Sequence, residues 1–467
     1  MGKRTYWFGA ILGLTIFSGA APAKDLGDIL VNKGLITPEE LKQAKEEEKQ
    51  KAAADESRRD AITAKLPKWL EVITPFGDIR TRHEGFYENG MQARNRFRLR
   101  ARFGLTANVS DEISGTVRLA TGDPNDPIST NQTFTQVFTR KSINLDQAYL
   151  TLKPGKSFGL EPGWFTLTGG KFGVNAYRTS ELVWDDDLSP EGATETLNVV
   201  ERKEGFLRGL KVSGFQWVVD EVAAAEDPWM GGGQVVADSA LGTFANWTVG
   251  FADFHYEGLN EVARAYLSSF KGSAPFTAQT PNSSLANSND VIFSDKDANG
   301  NKKILGYKSG YNIINANTEL NSPDPVGLGV PAGVFGDFAY NSQADGRNVG
   351  FYAGVGIGKA GKDWYHNSLK NPGDWGASYT YAWVEKDAVL SLFSYSDIDY
   401  VQAKATQKGS TNVVSHILRF DYELLPNLQL TAKAHFINAL DRTISNATSL
   451  AGSSTLVRTQ LDAVLKF

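Results

Sequence analysis

The 467-residue sequence contains no cysteine, which excludes a disulfide framework and every thiolate metal or redox centre. Its five histidines, His83, His255, His366, His416 and His435, include no two at metal-ligand spacing. H-E-x-x-H, G-x-S-x-G and P-loop patterns are missing, so nothing in the chain proposes a zinc hydrolase, a serine hydrolase or a nucleotide enzyme. A basic excess is lacking too. The 48 Lys and Arg against 53 Asp and Glu leave a formal charge of −5, which argues against nucleic acid as a partner. Beyond the N-terminus there is no long apolar run, and the mean hydropathy of −0.30 excludes a bundle of membrane-spanning helices. One membrane class passes all these filters. A transmembrane β-barrel looks soluble by hydropathy because each strand alternates lipid-facing and lumen-facing residues.

Residues 1–23 read as a secretory leader, with Lys3 and Arg4 as the basic region, Trp7 to Phe17 as the apolar region and Ala21-Pro22-Ala23 as the cleavage site. Residues 24–68 read as a helical segment, expected on the periplasmic side. Gly34 suits a helix C-cap, and Thr37-Pro38-Glu39-Glu40 restarts a helix with a capping box. Beyond Leu41 the segment is nearly all charged or small, with no apolar stripe to bury, so it is solvated or pairs weakly with itself.

From Trp69 to Phe467 the composition turns to Gly, aromatic and β-branched residues in period-two alternation. In the run 94–109, Arg94, Arg96, Arg98, Arg100 and Arg102 share one face, and Phe97, Leu99, Ala101, Phe103 and Leu105 share the other. A strand turns these into an arginine ladder backed by an apolar stripe, whereas a helix would scatter the arginines around its axis. The last segment, 456–467, alternates likewise and ends on an aromatic, Phe467. Strands are expected near 76–87, 94–109, 112–121, 142–153, 163–175, 202–213, 214–222, 231–241, 244–256, 332–341, 347–358, 374–385, 388–398, 412–424, 428–440 and 454–467. The fold class is therefore all-β, a transmembrane antiparallel barrel of about 16 strands with a short N-terminal helical segment.

Parity sorts the connections. Short links at Ser110-Asp111, Gly242-Thr243 and Pro426-Asn427 fall at one end, with 154–162 a medium exception. Long links at 122–141, 176–201, 257–331, 359–373 and 441–453 fall at the other, with 257–331 a long extracellular loop or insertion. Trp164, Phe165, Phe215, Trp217, Phe244, Trp247, Trp383 and Phe467 are expected near the short-link end as an interfacial belt.

Lumen-facing candidates are Arg80, Arg82, the ladder arginines, Arg118, Arg419, Asp421, Glu423, Lys433 and Arg458, each flanked by apolar neighbours. The link 176–201 carries Trp184, Asp185, Asp186, Asp187, Glu191 and Glu195, readable either as a solvated acidic loop or as an acidic partner of the arginines. Asp295, Asp297 and Asn299 have the spacing of a calcium loop, although Gly306 stands where the bidentate Glu belongs, so a polar turn competes with structural calcium. Gly354, Gly356 and Gly358 fit a strand better than a phosphate loop, since no helix follows them.

Several runs resemble the putative porin family of Gram-negative outer membranes: Asn95–Leu105, 118–123, 129–132, Gly170-Lys171-Phe172, 182–192 and Gly373-Asp374-Trp375 with Asp387-Ala388-Val389. The resemblance implies a non-enzymatic diffusion channel for ions and small hydrophilic solutes, lodged in outer-membrane lipid, with no cofactor. General porins fold the loop after the fifth strand into the lumen, which makes Asp185, Asp186, Asp187 and Glu191 the expected constriction, with acid opposite arginine setting a field across the pore. Many porins are trimers, so a homotrimer is compatible with the resemblance, although no residue pattern here encodes it. Two rival readings are a barrel that sheathes a partner, such as a haem electron-transfer protein, and a secreted soluble β protein such as an adhesin. About sixteen strands give a narrow bore for a sheath.

Overall fold

A computed structural model describes residues 37–43, 46, 68–90, 92–135, 137–223, 225–267, 287–296, 298, 303–359, 369–399, 409–441 and 454–467. The leader at 1–23 and most of the helical segment 24–68 lie outside these residues. The helix start expected at Thr37 is present. Glu40 accepts from the Thr37 N–H at 2.6 Å, and Thr37 Oγ1 accepts from the Glu40 N–H at 3.2 Å, so the two residues satisfy each other's end groups.

Sixteen long strands follow: β1 Ile73–Tyr87, β2 Arg94–Asn108, β3 Ile113–Thr121, β4 Ile143–Leu152, β5 Phe165–Lys171, β6 Glu191–Glu201, β7 Leu207–Val218 and β8 Trp229–Leu241. The second half comprises β9 Ala245–Glu257, β10 Asn312–Ser322, β11 Ala332–Asn341, β12 Val349–Gly358, β13 Trp375–Val384, β14 Val413–Leu425, β15 Leu428–Ala439 and β16 Leu456–Lys466. Each strand pairs antiparallel with its neighbours in sequence. The sheet closes where β1 meets β16, from Asp78 opposite Lys466 to Tyr87 opposite Val457. Closure removes every free sheet edge, which a membrane-spanning sheet requires. The C-terminal residue completes the seam: Phe467 N–H donates to Gly77 O at 3.1 Å and Gly77 N–H donates to Phe467 O at 2.9 Å. A Cβ at Gly77 would meet the Phe467 ring at 2.8 Å, so only glycine leaves room for this ending.

Side chains are arranged inside out relative to a soluble protein. Phe97 is 57% exposed, and Phe103, Phe251, Val355, Leu418, Phe420 and Leu461 also lie on the open face. Buried within are Arg82, Glu84, Gln234, Asn315, Asn317, Asp337, Asp421, His435, Arg458 and Asp462. Apolar surface turned outward all round a closed barrel matches a lipid solvent.

Short links (109–112, 153–164, 202–206, 242–244, 323–331 and 426–427) lie at the rim that carries Ile73 and Phe467, called here the terminal rim. In the tightest, Pro426 precedes Asn427 with φ 64°, the residue order of a type II turn. The longer links, 122–142, 172–190, 258–311, 385–412 and 440–455, lie at the far rim.

The strand total matches the expectation, but its members differ. The stretches 202–213 and 214–222 are one strand, β7, because Gly214 continues the ladder opposite Glu195 and Gly233 instead of turning. Residues 191–201 form β6, although their acidic residues suggested a loop. Within the expected insertion 257–331, β10 runs through Asn312–Ser322, its outward face diluted by Ala316 and Thr318. The expected strand 388–398 is instead a looped segment with a single 3-10 turn, Ser396–Ile398. Val389, Leu390, Ser391, Leu392 and Ile398 are all buried there, so it lacks the exposed alternate face of a lipid-facing strand. These shifts move the link 359–374 to the terminal rim, opposite to the expected placement. They also correct the belt. Trp164, Phe165, Phe244, Trp247 and Phe467 are at the terminal rim, whereas Trp383 is at the far rim and Phe215 and Trp217 are buried inside the barrel.

Candidate functional site

On β1, alternation turns Asp78, Arg80, Arg82 and Glu84 inward, and on β2 it does the same for Arg96, Arg98, Arg100 and Arg102. The register sets Asp78 opposite Arg102, Arg80 opposite Arg100, Arg82 opposite Arg98 and Glu84 opposite Arg96. Across the seam, β16 places Asp462 beside Arg82 and Gln460 beside Glu84. The product is one continuous charged wall built from the first two strands and the last.

Its ion pairs are close. Arg82 Nε donates to Asp462 Oδ1 at 2.7 Å, Arg100 lies 2.7 Å and Arg102 2.6 Å from Asp78, and Glu84 accepts from both Arg96 and Arg458. The Phe86 ring stacks under Arg94, Arg96 and Arg458, with the guanidinium of Arg96 5.1 Å from its centroid. Farther round the barrel Arg118 pairs with Asp146 at 2.5 Å and Arg419 with Asp421 at 2.7 Å. Asp421 is fully buried and accepts from Gln429 and Thr431 as well, while Glu423 is buried beside it in the strand pattern. Lys433 Nζ lies 3.4 Å from the Tyr395 hydroxyl.

Three far-rim loops fold onto this wall. Loop 172–190 crosses the lumen as a strap. One end is fixed by hydrogen bonds from uncharged donors: Tyr177 N–H to Gln234, Thr179 N–H to Asn317 and Ser180 Oγ to Asp337. Its middle is fixed by Trp184, whose ring lies 5.0 Å from Trp217 and 5.2 Å from Phe254 in a buried aromatic cluster. Its tip delivers Asp187 to Arg102 at 3.4 Å and Arg100 at 3.6 Å. Segment 385–399 is a second inward loop. It brings Asp397 between Arg458 at 2.7 Å and Arg82 at 3.4 Å. The two loops are tied together, Asp185 N–H donating to Phe393 O at 2.7 Å and Tyr395 N–H to Glu181 O at 3.0 Å. Loop 122–142 adds Ser129, Thr130 and Asn131, with Thr130 N–H donating to Asp187 at 3.2 Å.

The expected constriction residues therefore separate. Asp187 meets the arginines. Asp185 turns away and accepts from the backbone N–H groups of Asp187 and Ser396. Asp186 is paired with Arg178 at 2.7 Å, and Glu191 opens β6 paired with Lys171 at 2.9 Å. Glu195 is also a strand residue, on the outer face opposite Leu167 and Gly214. Burial disfavours the charged form of Asp187, but Arg100 and Arg102 outweigh it and hold the carboxyl below its ordinary pKa. Burial likewise opposes ionisation of Asp397, and Arg458 and Arg82 overcome it to push that pKa well down. Asp185 has no such help. Burial first, then Glu181 and Asp187, raise its pKa well above normal.

Asp78, Glu84 and Asp462 share parity with arginines already singled out, so their inward aim was readable in the sequence. Asp397 and Asn131 had no periodic signal. Asp295 is exposed and in no regular element, while Asp297 and Asn299 fall outside the described residues. Among the described residues no group of three carboxylates or imidazoles could hold a metal ion.

The strap separates two cavities. One of about 760 Å³ lies toward the terminal rim, lined by Arg178, Arg208, Lys211, Asp238 and Glu319 among others. One of about 570 Å³ lies toward the far rim against Trp184, Trp217, Asp220 and Tyr256. The site is thus a polar lumen narrowed by the chain's own loops, with cations fixed along one side.

A family model described as "Putative porin" matches residues 86–441. No curated protein matches the chain. Among solved structures it is similar to OprB of Pseudomonas putida, with 11% identity, a TM-score of 0.48, and coverage of 85% of this chain and 94% of that one. It is also similar to Salmonella typhi OmpF in complex with daunomycin (10%, 0.44, 85% and 97%) and to an anion-selective porin from Comamonas acidovorans (9%, 0.42, 85% and 99%).

Proposed function

Because the chain belongs to the putative porin family of non-enzymatic outer-membrane channels, we propose that it is a water-filled passive pore for ions and small hydrophilic solutes, with a preference for anions. In this reading the leader at 1–23 directs export, and the terminal rim and segment 24–68 face the periplasm. The observation that carries it is the wall of Arg80, Arg82, Arg96, Arg98, Arg100, Arg102 and Arg458. These guanidiniums outnumber the carboxylates that neutralise them, Asp78, Glu84, Asp187, Asp397 and Asp462. Fixed positive charge in a narrow, low-dielectric passage raises the local anion concentration and lowers that of cations. Selection is then by width and field, with no covalent step.

A barrel serving as sheath for a haem protein fits less well, because the strap and segment 385–399 already occupy the bore. Self-association has its own support on the outer face. Glu195 and Gln216 point outward from β6 and β7 among Gly169, Ala193, Gly214 and Gly233. Lipid disfavours a carboxylate there, while small neighbours let a second barrel approach closely. Migration of the unheated protein as a trimer in detergent gels tests this point. The channel itself is tested in planar bilayers. Stepwise conductance is expected, with a salt-gradient reversal potential of anionic sign. Absence of steps from correctly folded protein refutes the channel, and a cationic sign refutes the preference.

A further inference from the structure

All but two arginines of the wall are matched to carboxylates. Arg82 lies between Asp462 and Asp397, Arg96 and Arg458 share Glu84, and Arg100 and Arg102 share Asp78 and Asp187. Arg80 has no carboxylate within ion-pair distance among the described residues, and its hydrogen bond goes to the neutral amide of Asn131, Nη2 to Oδ1 at 2.6 Å. Arg98 comes no nearer than 3.8 Å to Glu84, a carboxylate already engaged by two other guanidiniums. Its remaining contacts are neutral as well, Ser129 Oγ at 3.3 Å and Asn131 O at 3.5 Å.

The Nε atoms of Arg80 and Arg98 are both buried without a hydrogen-bond partner. The register makes these two residues diagonal neighbours on one face, since Arg80 stands opposite Arg100 and Arg98 opposite Arg82. Ser129 and Asn131 form a hood over both, pinned in place by Thr130, whose N–H donates to Asp187 and whose carbonyl accepts from Thr121 at 2.9 Å. A desolvated guanidinium with an idle N–H is unfavourable until an acceptor arrives. The forked donor set of arginine matches two oxygens of one oxyanion. Arg98 keeps 12% of its side chain exposed, so the pair is not sealed from the lumen.

We propose that Arg80 and Arg98, under the hood of Ser129 and Asn131, form a binding step for one small oxyanion, a carboxylate or a phosphate, on its way through the pore. The proposal rests on the channel reading and adds a saturable site to it. Chloride must bend both N–H groups of a fork toward one centre, whereas an oxyanion gives each parallel N–H its own oxygen, so an oxyanion should displace it and slow its passage.

The test titrates inorganic phosphate, and separately acetate, into a chloride bath on both sides of a bilayer holding single channels. The expected result is a saturable fall in chloride current, with the acetate arm showing whether carboxylate is accepted as well as phosphate. Arg80→Gln should raise the half-blocking concentration about tenfold, the usual effect of losing a charged hydrogen-bond partner. Asn131→Asp places an internal carboxylate against Arg80 and should abolish the block while heat-modifiable migration shows an intact barrel. A chloride current that responds linearly to phosphate and acetate overturns the site and leaves the channel standing, whereas absence of any conductance step overturns the channel itself. A saturable block that survives unchanged in both variants places the site elsewhere and also overturns the proposal. Should neither variant fold, the wild-type titration alone decides.

Discussion

The two sides of the lumen are held together by different forces. On the side of β1, β2 and β16, ionised groups interlock: Glu84 with Arg96 and Arg458, Asp78 with Arg100 and Arg102, Arg82 with Asp462. On the side of β7 to β11, hydrogen bonds from uncharged donors and ring packing do the holding. Gln234, Asn317 and Asp337 take hydrogen bonds from Tyr177, Thr179 and Ser180, and Trp184 sits among Trp217, Phe254 and Phe215. Aromatic packing is insensitive to salt and pH, whereas charge acts on every permeating ion. The strap is thus anchored by uncharged donors and packed rings, and its acidic tip reaches the wall to which the anion preference is assigned in the proposed channel. In that proposed channel, one side fixes position and the other sets the field.

If that division holds, substitutions on the two sides should differ in kind. Glu84→Gln has the largest expected effect, because it leaves Arg96 and Arg458 short of a carboxylate inside the barrel. Breaking a buried pair from one side costs about 3–5 kcal/mol, so the barrel should unfold at markedly lower urea concentration. Trp184→Ala comes next. It empties the centre of the aromatic cluster, and large-to-small changes of this type cost about 3–5 kcal/mol, less where the surroundings collapse into the space. Its signature should be a wider and noisier pore with ion preference unchanged. A selectivity change without a conductance change would contradict the division.

Asp187→Asn should do the reverse. It removes the acid facing Arg100 and Arg102 without emptying a core, so conductance noise should stay as in wild type while the reversal potential moves further toward anions. One unit charge at contact amounts to about 1 kcal/mol in water and more where the dielectric is lower, so the permeability ratio should shift by roughly fivefold or more. The pH dependence follows with a definite sign. Asp187 and Asp397 have folded pKa values below their ordinary ones, so their stabilising pairs are fully present above the ordinary carboxylate pKa and are lost only as pH falls through the lowered values. Asp185 is raised, so its contribution is full below its ordinary pKa and fades as pH rises through the folded value. Acidifying from pH 8 to 5 should therefore leave the difference in reversal potential between wild type and Asp187→Asn unchanged, because Asp187 stays ionised throughout. A difference that collapses across that window would mean the Asp187 carboxylate is not held by the guanidiniums.

The charged wall was legible because a strand has a strict period of two: once Arg94 to Arg102 are assigned one side, Phe97 and Phe103 must take the other. The same parity carried Arg80, Arg82 and Arg458 inward, and the terminal Phe467 marked the closing strand. Parity fails where both faces of a segment are covered. Residues 388–398 are apolar enough for a strand, yet they are buried on every side by the barrel around them, and only tertiary structure says so. β10 failed for the opposite reason. Asn315, Asn317 and Glu319 are common loop residues, and their inward aim became visible only through pairing with β9 and β11. Loops gave composition without direction, so Asn131 and Asp397 reached the wall unannounced.

The acidic triplet puts that last point in its smallest measurable form. Asp185, Asp186 and Asp187 are identical in composition, yet one caps backbone N–H groups, one pairs with Arg178 on the strap itself and one faces the wall arginines. Asp186 is 43% exposed, and its partner Arg178, 15% exposed in the wall of the larger cavity, also donates to Val174 O, so the arginine keeps a second support when the acid is lost. Exposed pairs contribute about 0–1 kcal/mol, because water screens the attraction and two side chains must be held still. Asp186→Ala should accordingly leave urea midpoint, conductance and reversal potential within the error of each measurement. A shift in reversal potential comparable to that of Asp187→Asn would mean that the pore reads the loop's total charge, and that the geometry separating these aspartates does not govern permeation.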